Sequence, residues 1–496
     1  MTINYGIIDL FAGPGGLGEG FSQAGREAGI PMEIRLSVEM DQHAVATLRL
    51  RSFLRSFDDG FPEEYYRALE SGGNFTRMLE RHPDRWQTAC SEVRQLVLGE
   101  PGVFESIAPI LDRTREEFGG NTILIGGPPC QAYSLAGRSR NKGKQGYVAE
   151  DDQRHYLYRE YVRILERLRP AAFVMENVKG MLSSKVDGGG IFTRVLDDLE
   201  GAADGYRLLP LTVPSPADGS RAQARDFLVR AEEHGVPQAR HRVIILGIRR
   251  DVLSRVCSGA TLQAHSGAVT VDEALRGMPT LRSGLSKEDS RAAWQKAVRD
   301  HAERIAALDT LSPDLARLLR QVARSNSLPD HRVAIRLGDD RPPAPLDGWL
   351  CDPQLNVVLH HDTRGHIPAD LGRYLFSSTF TKATGRAPKL SEFPDWLQPE
   401  HRNRESGDFA DRFRTQAAIR PSTTVTSHIS KDGHYFIHPD PSQCRSLTVR
   451  EAARLQTFPD NYFFCGPRTM QYHQVGNAVP PYLAWQIAKA VRALLP

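Results

Sequence analysis

The chain has 496 residues, of which 40% are hydrophobic and 25% charged, and its formal net charge is +3. This length predicts more than one domain, and no apolar run approaches the ~20 residues of a membrane span. The charge is only mildly basic, so any affinity for a nucleic acid must come from local patches. The six cysteines form no Cys-x-x-Cys pair, which argues against a zinc site and a disulfide framework.

The first predicted element is a strand at residues 5–11, which leads through a glycine-rich turn into a helix. Gly13, Gly15 and Gly18 fit the pattern G-x-G-x-x-G, in which glycines let the backbone approach a nucleotide. Glu39 follows the apolar stretch 34–38, at a position where an acid can bind ribose hydroxyls. Dinucleotides and S-adenosylmethionine both meet this description, and the turn does not choose between them.

Residues 51–98 form a predicted insertion after Glu39. Its pattern is mainly helical, with the large side chains Tyr65, Tyr66, Leu69, Met78, Leu79 and Trp86. We interpret the insertion as a packed helical addition. The alternative is a contact with DNA or with a protein partner.

The next predicted strand, residues 122–125, runs into the sequence Gly-Gly-Pro-Pro-Cys-Gln at 126–131. The glycines end the strand, and the two prolines restrict the backbone that presents Cys130. Ligands bind at this edge of open α/β sheets, which favours a reactive cysteine over an ordinary loop cysteine.

A helix with an apolar face at residues 157–168 and a strand at residues 170–175 come next, and Glu176 ends that strand. Strand, helix and strand predict a right-handed crossover between parallel neighbours, so Cys130 and Glu176 should share one edge of the sheet. This pairing suggests a nucleophile with an acid partner. For Glu176 taken by itself, a solvated carboxylate at a strand end is the commoner case.

A strand at residues 242–247 completes a predicted doubly wound α/β domain over 1–249. Residues 250–442 are rich in arginine, histidine and proline, with charged helical stretches near 287–319. Three histidines lie within residues 360–366, for which contacts to phosphates or bases, or a structural network, are more plausible than a metal. The hydroxyl-rich segments 377–382 and 422–428 are predicted to be short strands or turns that could contact a DNA backbone.

Residues 443–496 return to the first domain. The sequence Thr448-Val449-Arg450-Glu451 is a capping box, which predicts the start of a helix. A last helix opens at Pro480 and Pro481, and its apolar face should pack in a core; this face consists of Leu483, Ile487, Val491 and Leu495.

Six blocks in this order resemble the DNA (cytosine-5) methyltransferase family. They are Asp9-Leu10-Phe11-Ala12-Gly13 with the following glycines, Gly127-Pro128-Pro129-Cys130-Gln131, Glu176-Asn177-Val178, Gln238-Ala239-Arg240-His241-Arg242, the segment from Arg445 to Pro459, and Gln474-Val475-Gly476-Asn477-Ala478-Val479-Pro480. The resemblance implies a Rossmann-like, S-adenosylmethionine-dependent methyltransferase domain with a smaller inserted target-recognition domain. It places recognition in 250–442 and closes the catalytic domain with 443–496.

The resemblance implies catalytic roles for four residues. The Cys130 thiolate would add to C6 of a flipped-out cytosine, and Glu176 would protonate N3 as C5 becomes nucleophilic. Arg242 would contact the cytosine O2, and Arg240 would support the same pocket. The base that removes the C5 proton is not identified; water is one candidate.

The resemblance also implies the other contacts. The methyl-donor site would comprise Phe11, Gly13, Gly15, Gly16, Leu17, Glu39, Met40, Pro128, Asn477 and Ala478, with Glu100 standing where the family has an Asp-Ile pair. The loop after the nucleophile would contact DNA through Gln131, Ser134, Arg138, Arg140, Lys142 and Lys144. A solvated surface loop is the alternative for that segment.

These features predict a cytoplasmic enzyme that acts on double-stranded DNA next to the nucleoid. We expect a monomer without metal or membrane partner, which protects host DNA within a restriction-modification or phage-defence system. The alternatives are the tRNA-methylating branch of the family, a silent DNA-binding regulator, and a nicotinamide-dependent oxidoreductase. The long recognition interval argues against the first. Intact Cys130, Glu176 and Arg242 argue against the second, and the cysteine and Glu-Asn-Val blocks against the third.

Overall fold

The computed structural model describes residues 4–129, 157–183, 185–186, 189–203, 205–216, 220–253, 261–399 and 412–496. Its strands are β1 (Tyr5–Leu10), β2 (Met32–Glu39), β3 (Val93–Gln95), β4 (Thr122–Gly126), β5 (Ala172–Val178), β6 (Lys185–Val186), β7 (Gly189–Gly190), β8 (Tyr206–Leu209), β9 (Leu228–Arg230), β10 (Gln238–Ala239), β11 (His241–Arg249), β12 (Gly284–Leu285), β13 (Gly365–His366) and β14 (Ser422–Thr423).

The helices of the first half are α1 (Gly16–Ala28), α2 (Gln42–Arg55), α3 (Glu63–Glu70), α4 (Thr76–Arg81), α5 (Pro83–Glu92), α6 (Val103–Glu117), α7 (Leu157–Leu168), α8 (Ile191–Gly201) and α9 (Arg250–Leu253). Those of the second half are α10 (Val271–Ala274), α11 (Arg291–Ala306), α12 (Pro313–Arg324), α13 (Leu346–Leu350), α14 (Pro368–Thr384), α15 (Val449–Leu455), α16 (Arg468–Asn477) and α17 (Pro481–Ala493).

The central sheet has the strand order β3-β2-β1-β4-β5-β11-β8, with β9 pairing with β11. Strands β3 to β5 are parallel, as the strand–helix–strand pattern predicts, and β4 lies beside β5. Strand β11 runs antiparallel to β5, so its first residues lie at the edge where the parallel strands end. The chain is therefore an α/β protein. The carboxyl ends of its five parallel strands and the first residues of β11 lie at one edge of the central sheet.

Helices cover both faces of the sheet. On one face α1 and α17 pack against alternate residues of β1, β4 and β5, and on the other face α6, α7 and α8 do so. The predicted apolar face of the last helix is confirmed, since Leu483, Ile487 and Val491 are buried against α1. The capping box at Thr448 and Glu451 is confirmed as well.

The predicted insertion is helical, but it also contains a strand. Its helices α3, α4 and α5 pack against Leu50, Phe53 and Leu54 of α2, and Tyr66 donates to Asp352. Val93–Gln95, which we assigned to the helical insertion, instead pairs with β2 in the central sheet. Only one of its three side chains is buried, which is too little apolar pattern to predict a strand.

One interpretation of the 250–442 interval is corrected. Residues 377–382 lie within α14 and are not a strand or a turn. Ser377, Ser378, Thr379 and Thr381 are buried there, and the hydroxyls of Ser378 and Thr381 donate to carbonyls four residues back. These side chains face a core formed by α11, α12 and α14 and cannot contact a DNA backbone.

The histidines of residues 360–366 belong to a structural network. The ring of His361 bonds to the Thr448 hydroxyl and the Pro279 carbonyl, each at 2.9 Å. His360 accepts a hydrogen bond from the Phe464 N–H at 3.0 Å, and His366 packs against Tyr374. Of the readings left open, the structural one is therefore correct.

Candidate active site

Cys130 and all six predicted DNA contacts lie outside the described residues: Gln131, Ser134, Arg138, Arg140, Lys142 and Lys144. The described chain reaches Pro129 and resumes at Leu157. The geometry of the site is therefore built from the strand ends on either side of this segment.

Glu176 and Arg242 form an ion pair at the sheet edge. Glu176 lies opposite Ile244 in the β5–β11 register, and Arg242 is two residues from Ile244, so both side chains point to the same face. Arg242 Nε lies 2.7 Å from Glu176 Oε1, and the two side chains are 16% and 14% exposed. Arg242 Nη1 also donates to the His241 carbonyl at 2.9 Å. The pair is thus fixed in orientation yet open to solvent.

The backbone that leads to Cys130 lies directly against Glu176. A Cβ at Gly127 would be 2.9 Å from Glu176 Oε2, so the missing side chain is what allows this approach. On the opposite face of β5, the buried Asn177 donates its amide to the Pro128 carbonyl at 3.3 Å and accepts from the Val178 N–H. The sequence analysis quoted Asn177 within its block but gave it no role.

Arg240 is buried and does not reach the solvent-exposed edge. It is 2% exposed, and its Nη1 donates to the carbonyls of Val425 and Gly476 at 2.9 and 3.4 Å. Burial holds the pKa of Arg240 well below its ordinary value. Arg240 therefore joins three chain segments behind the site, close enough to Arg242 and Glu176 for their charges to act on its pKa. This position is compatible with the predicted support of the pocket.

Gln238 also connects chain segments behind the site. Its side chain accepts from the Val425 N–H at 2.7 Å and donates to the Leu455 carbonyl and to Gln456. Gln456 in turn donates to the Val475 carbonyl at 2.7 Å. Two buried glutamines thus connect β10, the segment after β14, α15 and α16. The sequence analysis missed this network because it depends on which side each residue faces.

The glycine turn has the geometry that its sequence predicts. Phe11, Gly13 and Gly15 have φ values of 54°, 57° and 97°, and Gly15 is the N-cap of α1. Open space surrounds the missing Cβ of Gly13, whereas a Cβ at Gly16 would lie 2.1 Å from the Val479 carbonyl. The turn is therefore free for a ligand on the Gly13 side and closed by the C-terminal segment on the other. The Leu17 side chain is 5% exposed and packs in the core, away from the turn's free side.

Glu39 holds the turn in place. Its Oε2 accepts from the Gly13 N–H at 2.8 Å, and its Oε1 accepts from the Met40 and Asp41 N–H groups at 2.9 Å. A carboxylate has about four lone-pair positions, so one acceptor position remains. Met40, next in the chain, is 65% exposed at the same edge.

The residues next to Glu39 on the neighbouring strand are Gln95 and Leu96. Gln95 pairs with Glu39 in the β2–β3 register, and the Leu96 N–H donates to the Glu39 carbonyl at 3.1 Å. Glu100 comes five residues after β3, in an exposed turn before α6. The structure therefore puts Gln95 and Leu96, rather than Glu100, at the strand end next to Glu39.

The closing block returns to this edge. Ala478 is buried at the C-cap of α16, and the exposed Asn477 lies close to His473.

Within the described residues, no group of three potential metal ligands is present, and no helix has the length and hydropathy needed to span a membrane. The edge thus carries an acid–arginine pair, a glycine turn and a fixed carboxylate.

Comparisons with known proteins agree with this geometry. The family model for C-5 cytosine-specific DNA methylases matches residues 105–493. The type II methyltransferase M.Bpa9945I of Bacillus paralicheniformis is 32% identical over 511 aligned residues, covering 99% of each chain. The DNA (cytosine-5-)-methyltransferase M.ApeKI of Aeropyrum pernix is 26% identical, again over 99% of each chain.

A solved structure shows the same fold. It is a prophage-encoded DNA modification methyltransferase of E. coli, with a TM-score of 0.51 and 20% identity over 99% of each chain. The fold is thus the Rossmann-like α/β fold of such enzymes. The chain belongs to the C-5 cytosine-specific DNA methylase family and is a DNA (cytosine-5-)-methyltransferase, whose family takes its methyl group from S-adenosylmethionine.

Proposed function

We propose that this enzyme methylates C5 of cytosine within one specific double-stranded DNA sequence and protects host DNA in a restriction-modification or phage-defence system. One observation carries the catalytic part of the proposal. The Glu176–Arg242 pair lies at the carboxyl end of the sheet, directly against the Gly127 backbone that leads to Cys130. A cytosine ring placed beside that pair would meet an acid and a cation next to the backbone that leads to Cys130.

Each group has a defined task. Cytosine C5 is a poor nucleophile, so the Cys130 thiolate first adds to C6 and forms an Sγ–C6 bond. Glu176 supplies a proton to N3 as negative charge develops there, and Arg242 holds Glu176 in place and can contact O2. After C5 has taken the methyl group, a base, for which water is one candidate, removes the C5 proton. The Sγ–C6 bond then breaks and releases the Cys130 thiolate, and N3 returns its proton to Glu176.

The glycine turn and Glu39 fit the methyl donor. The donor, when bound, supplies an electrophilic methyl group on a sulfonium. Gly13 offers open space, and the free lone pair of Glu39 suits a ribose hydroxyl. Met40, Gln95 and Leu96 surround the same strand ends and are our candidates for the adenine contacts, in place of Glu100. Phe11, Gly15, Pro128, Asn477 and Ala478 would complete the cradle.

DNA recognition is assigned to the 250–442 interval, between the catalytic segments 1–249 and 443–496. Part of the interval has a core of its own, in which α11, α12 and α14 pack around Trp294, Tyr374 and Leu375. The target base must leave the duplex, at a cost of a few kcal/mol that protein–DNA contacts offset. The type II relatives support a restriction-modification role, and we infer that the enzyme acts as a monomer.

The test is base-resolution 5-methylcytosine sequencing of DNA and tRNA from a methylation-free host that expresses the chain. We expect methylation at one short DNA sequence, which Cys130→Ser should lower by more than about a thousandfold. Donor binding should survive in that variant. Cys90→Ser, a free cysteine on α5, is the matched control and should leave methylation unchanged.

Other outcomes would change the conclusion. Methylation confined to tRNA would move the enzyme to the RNA-acting branch of the family. Unchanged methylation in Cys130→Ser would refute the nucleophile assignment.

A further inference from the structure

Asp9 is a buried carboxyl group on β1 that no partner satisfies. The residue is 0% exposed, and both of its carboxylate oxygens lack a hydrogen-bond partner among the described residues. An isolated carboxylate in such a place is strongly disfavoured, so the group binds a proton more tightly than usual. Burial raises the pKa of Asp9 to about 8.

The Asp9 carboxyl group has a polar neighbour on β2 and an apolar one on β4. Ser37 lies directly opposite on β2, and its hydroxyl is also buried without a partner. Above the carboxyl is the first turn of α1, where a Cβ at Gly18 would lie 3.1 Å from Asp9 Oδ2. Ile125 is its register partner on β4. Asp9 thus lies beneath the glycine turn, two residues before Phe11.

The charged groups around Asp9 already have other partners. Arg55 of α2 favours the ionised form of Asp9, but it pairs with Glu92 of α5 at 2.9 Å. Glu92 and Glu39 oppose ionisation, and Glu39 is bound by three N–H groups.

Groups on α1, α2 and α7 complete the surroundings of Asp9. Glu19 of α1 and Arg51 of α2 form their own buried ion pair. Tyr161 of α7 directs its hydroxyl to the carbonyls of Leu124 and Val174. Among the described residues, no cation is therefore dedicated to Asp9.

We propose that Asp9 is a proton-linked positioning residue of the methyl-donor site, which loses its proton when the cationic donor binds and regains it when the neutral product replaces the donor. This inference rests on the proposed use of the glycine turn. S-adenosylmethionine and S-adenosylhomocysteine differ in one methyl group and one positive charge at sulfur. A nearby positive charge favours a carboxylate over a carboxylic acid.

The proton balance closes over one cycle. On donor binding the Asp9 O–H bond breaks and the proton goes to solvent. Methyl transfer removes the positive charge from sulfur, and Asp9 takes a proton back from solvent. The preference of the enzyme for the donor over the product is therefore greatest at a pH high enough to ionise Asp9.

The experiment measures dissociation constants of donor and product by calorimetry between about pH 6 and pH 8.5. The preference for the donor should rise over this range by about five- to tenfold more in the natural enzyme than in Asp9→Asn. The sulfonium charge lowers the pKa of the donor's own amino group relative to that of the product, and because this contribution is the same for both proteins, the comparison of the two removes it. Calorimetry in two buffers of different ionisation enthalpy should also show that the donor releases more protons than the product.

Asp58→Asn, in an exposed loop, is the matched control and should keep the natural pH dependence. If Asp9→Asn does not fold, infrared spectra of the natural enzyme replace it, because the protonated carboxyl band should weaken when the donor displaces the product. The same pH dependence of the ratio in the natural enzyme and in Asp9→Asn, or an unchanged band, would overturn the role of Asp9 only. Failure of both compounds to bind would overturn the donor site itself.

Discussion

Adjacent residues at the end of β5 have separate tasks. Glu176 faces Arg242, while Asn177 points to the other face of the sheet and holds the Pro128 carbonyl. Because side chains alternate along a strand, one residue can present chemistry while its neighbour positions the nucleophile loop. We therefore expect Asn177 to position the segment that leads to Cys130.

Asn177→Ala should lower the turnover number about tenfold or more. The change removes one buried hydrogen bond, worth about 1 kcal/mol, and frees a loop whose displacement by a fraction of an ångström slows a reaction. Single-turnover methylation and donor affinity should be measured together, and the affinity should change less than about twofold.

Asn356→Ala is the control for this change, since that amide bonds to Glu70 on an exposed surface and should not affect turnover. Asn177→Asp provides a second check, because it keeps the acceptor for the Val178 N–H but cannot donate to Pro128. Full activity in both Asn177 variants would rule out a positioning role.

At the residue scale, the sequence is a good guide to which residues lie at the edge and a poor guide to their direction. Glu176 and Glu39 were predicted at strand ends; Glu39 is the last residue of β2, and Glu176 lies two residues before the end of β5. Arg240 was predicted to support the pocket, and its guanidinium lies behind the edge, where it donates to the Val425 carbonyl. The alternation of two arginines around His241 does not reveal which of them points outward.

Among the helices, the contact of α1 with α17 depends on glycines. A Cβ at Gly20 would lie 2.4 Å from the Trp485 N atom and 2.5 Å from the Ala484 Cβ. Because neighbouring backbone cannot move out of the way easily, the two helix axes approach only if this position lacks a side chain. The first and the last helix of the chain are thus packed backbone to backbone.

Gly20→Ala should lower the free energy of unfolding by about 2–3 kcal/mol, since it overpacks this contact. Gly201→Ala is the matched control, because that helical glycine has no atom within 4 Å of the added Cβ. There the substitution should raise stability by up to about 1 kcal/mol through helix propensity. Urea unfolding followed by circular dichroism measures both, and equal shifts in the two variants would contradict the packing argument.

Helices and strands with strong apolar periodicity or a capping box were predictable. The capping box at Thr448 and the face of Leu483, Ile487 and Val491 are examples. Residues 377–382 were not, because serine and threonine favour strands and turns in isolation but here bond to their own helix backbone within a core. The three residues of β3 carry too little pattern to be detected.

Over the whole molecule, buried neutral histidines make stability depend on pH. Burial lowers the pKa of His361 and His438 to about 4 and that of His366 to about 3. The unfolded chain binds these protons near the ordinary pKa of about 6.5, whereas the folded protein does not. The destabilising contribution of these histidines is therefore absent above pH 6.5 and grows as the pH falls towards 4.

Between pH 7 and pH 5 each histidine should reduce the free energy of unfolding by on the order of 2 kcal/mol. Urea midpoints at the two pH values test this. His361→Gln should reduce the difference by on the order of 2 kcal/mol, and His331→Gln, at an exposed site, should leave it unchanged. The same difference in His361→Gln and in the natural enzyme would contradict the linkage.

The parallel pairing of β4 with β5 and the apolar face of the last helix could be predicted from the sequence, because parallel strands and amphipathic helices leave periodic patterns. The network around Gln238, Gln456 and Arg240 could not, since it consists of polar side chains bonded to distant backbone. Which base pairs the enzyme reads is likewise set by individual side-chain directions.

The packing of α1 against α17 has a consequence for synthesis on the ribosome. The surface of α1 around Gly20 is made about 460 residues before Ala484 and Trp485, so roughly 20 to 90 seconds of translation separate the two. During that interval the apolar side of α1 lacks its cover from α17. We therefore expect a newly made copy to modify DNA only after α17 has left the ribosome.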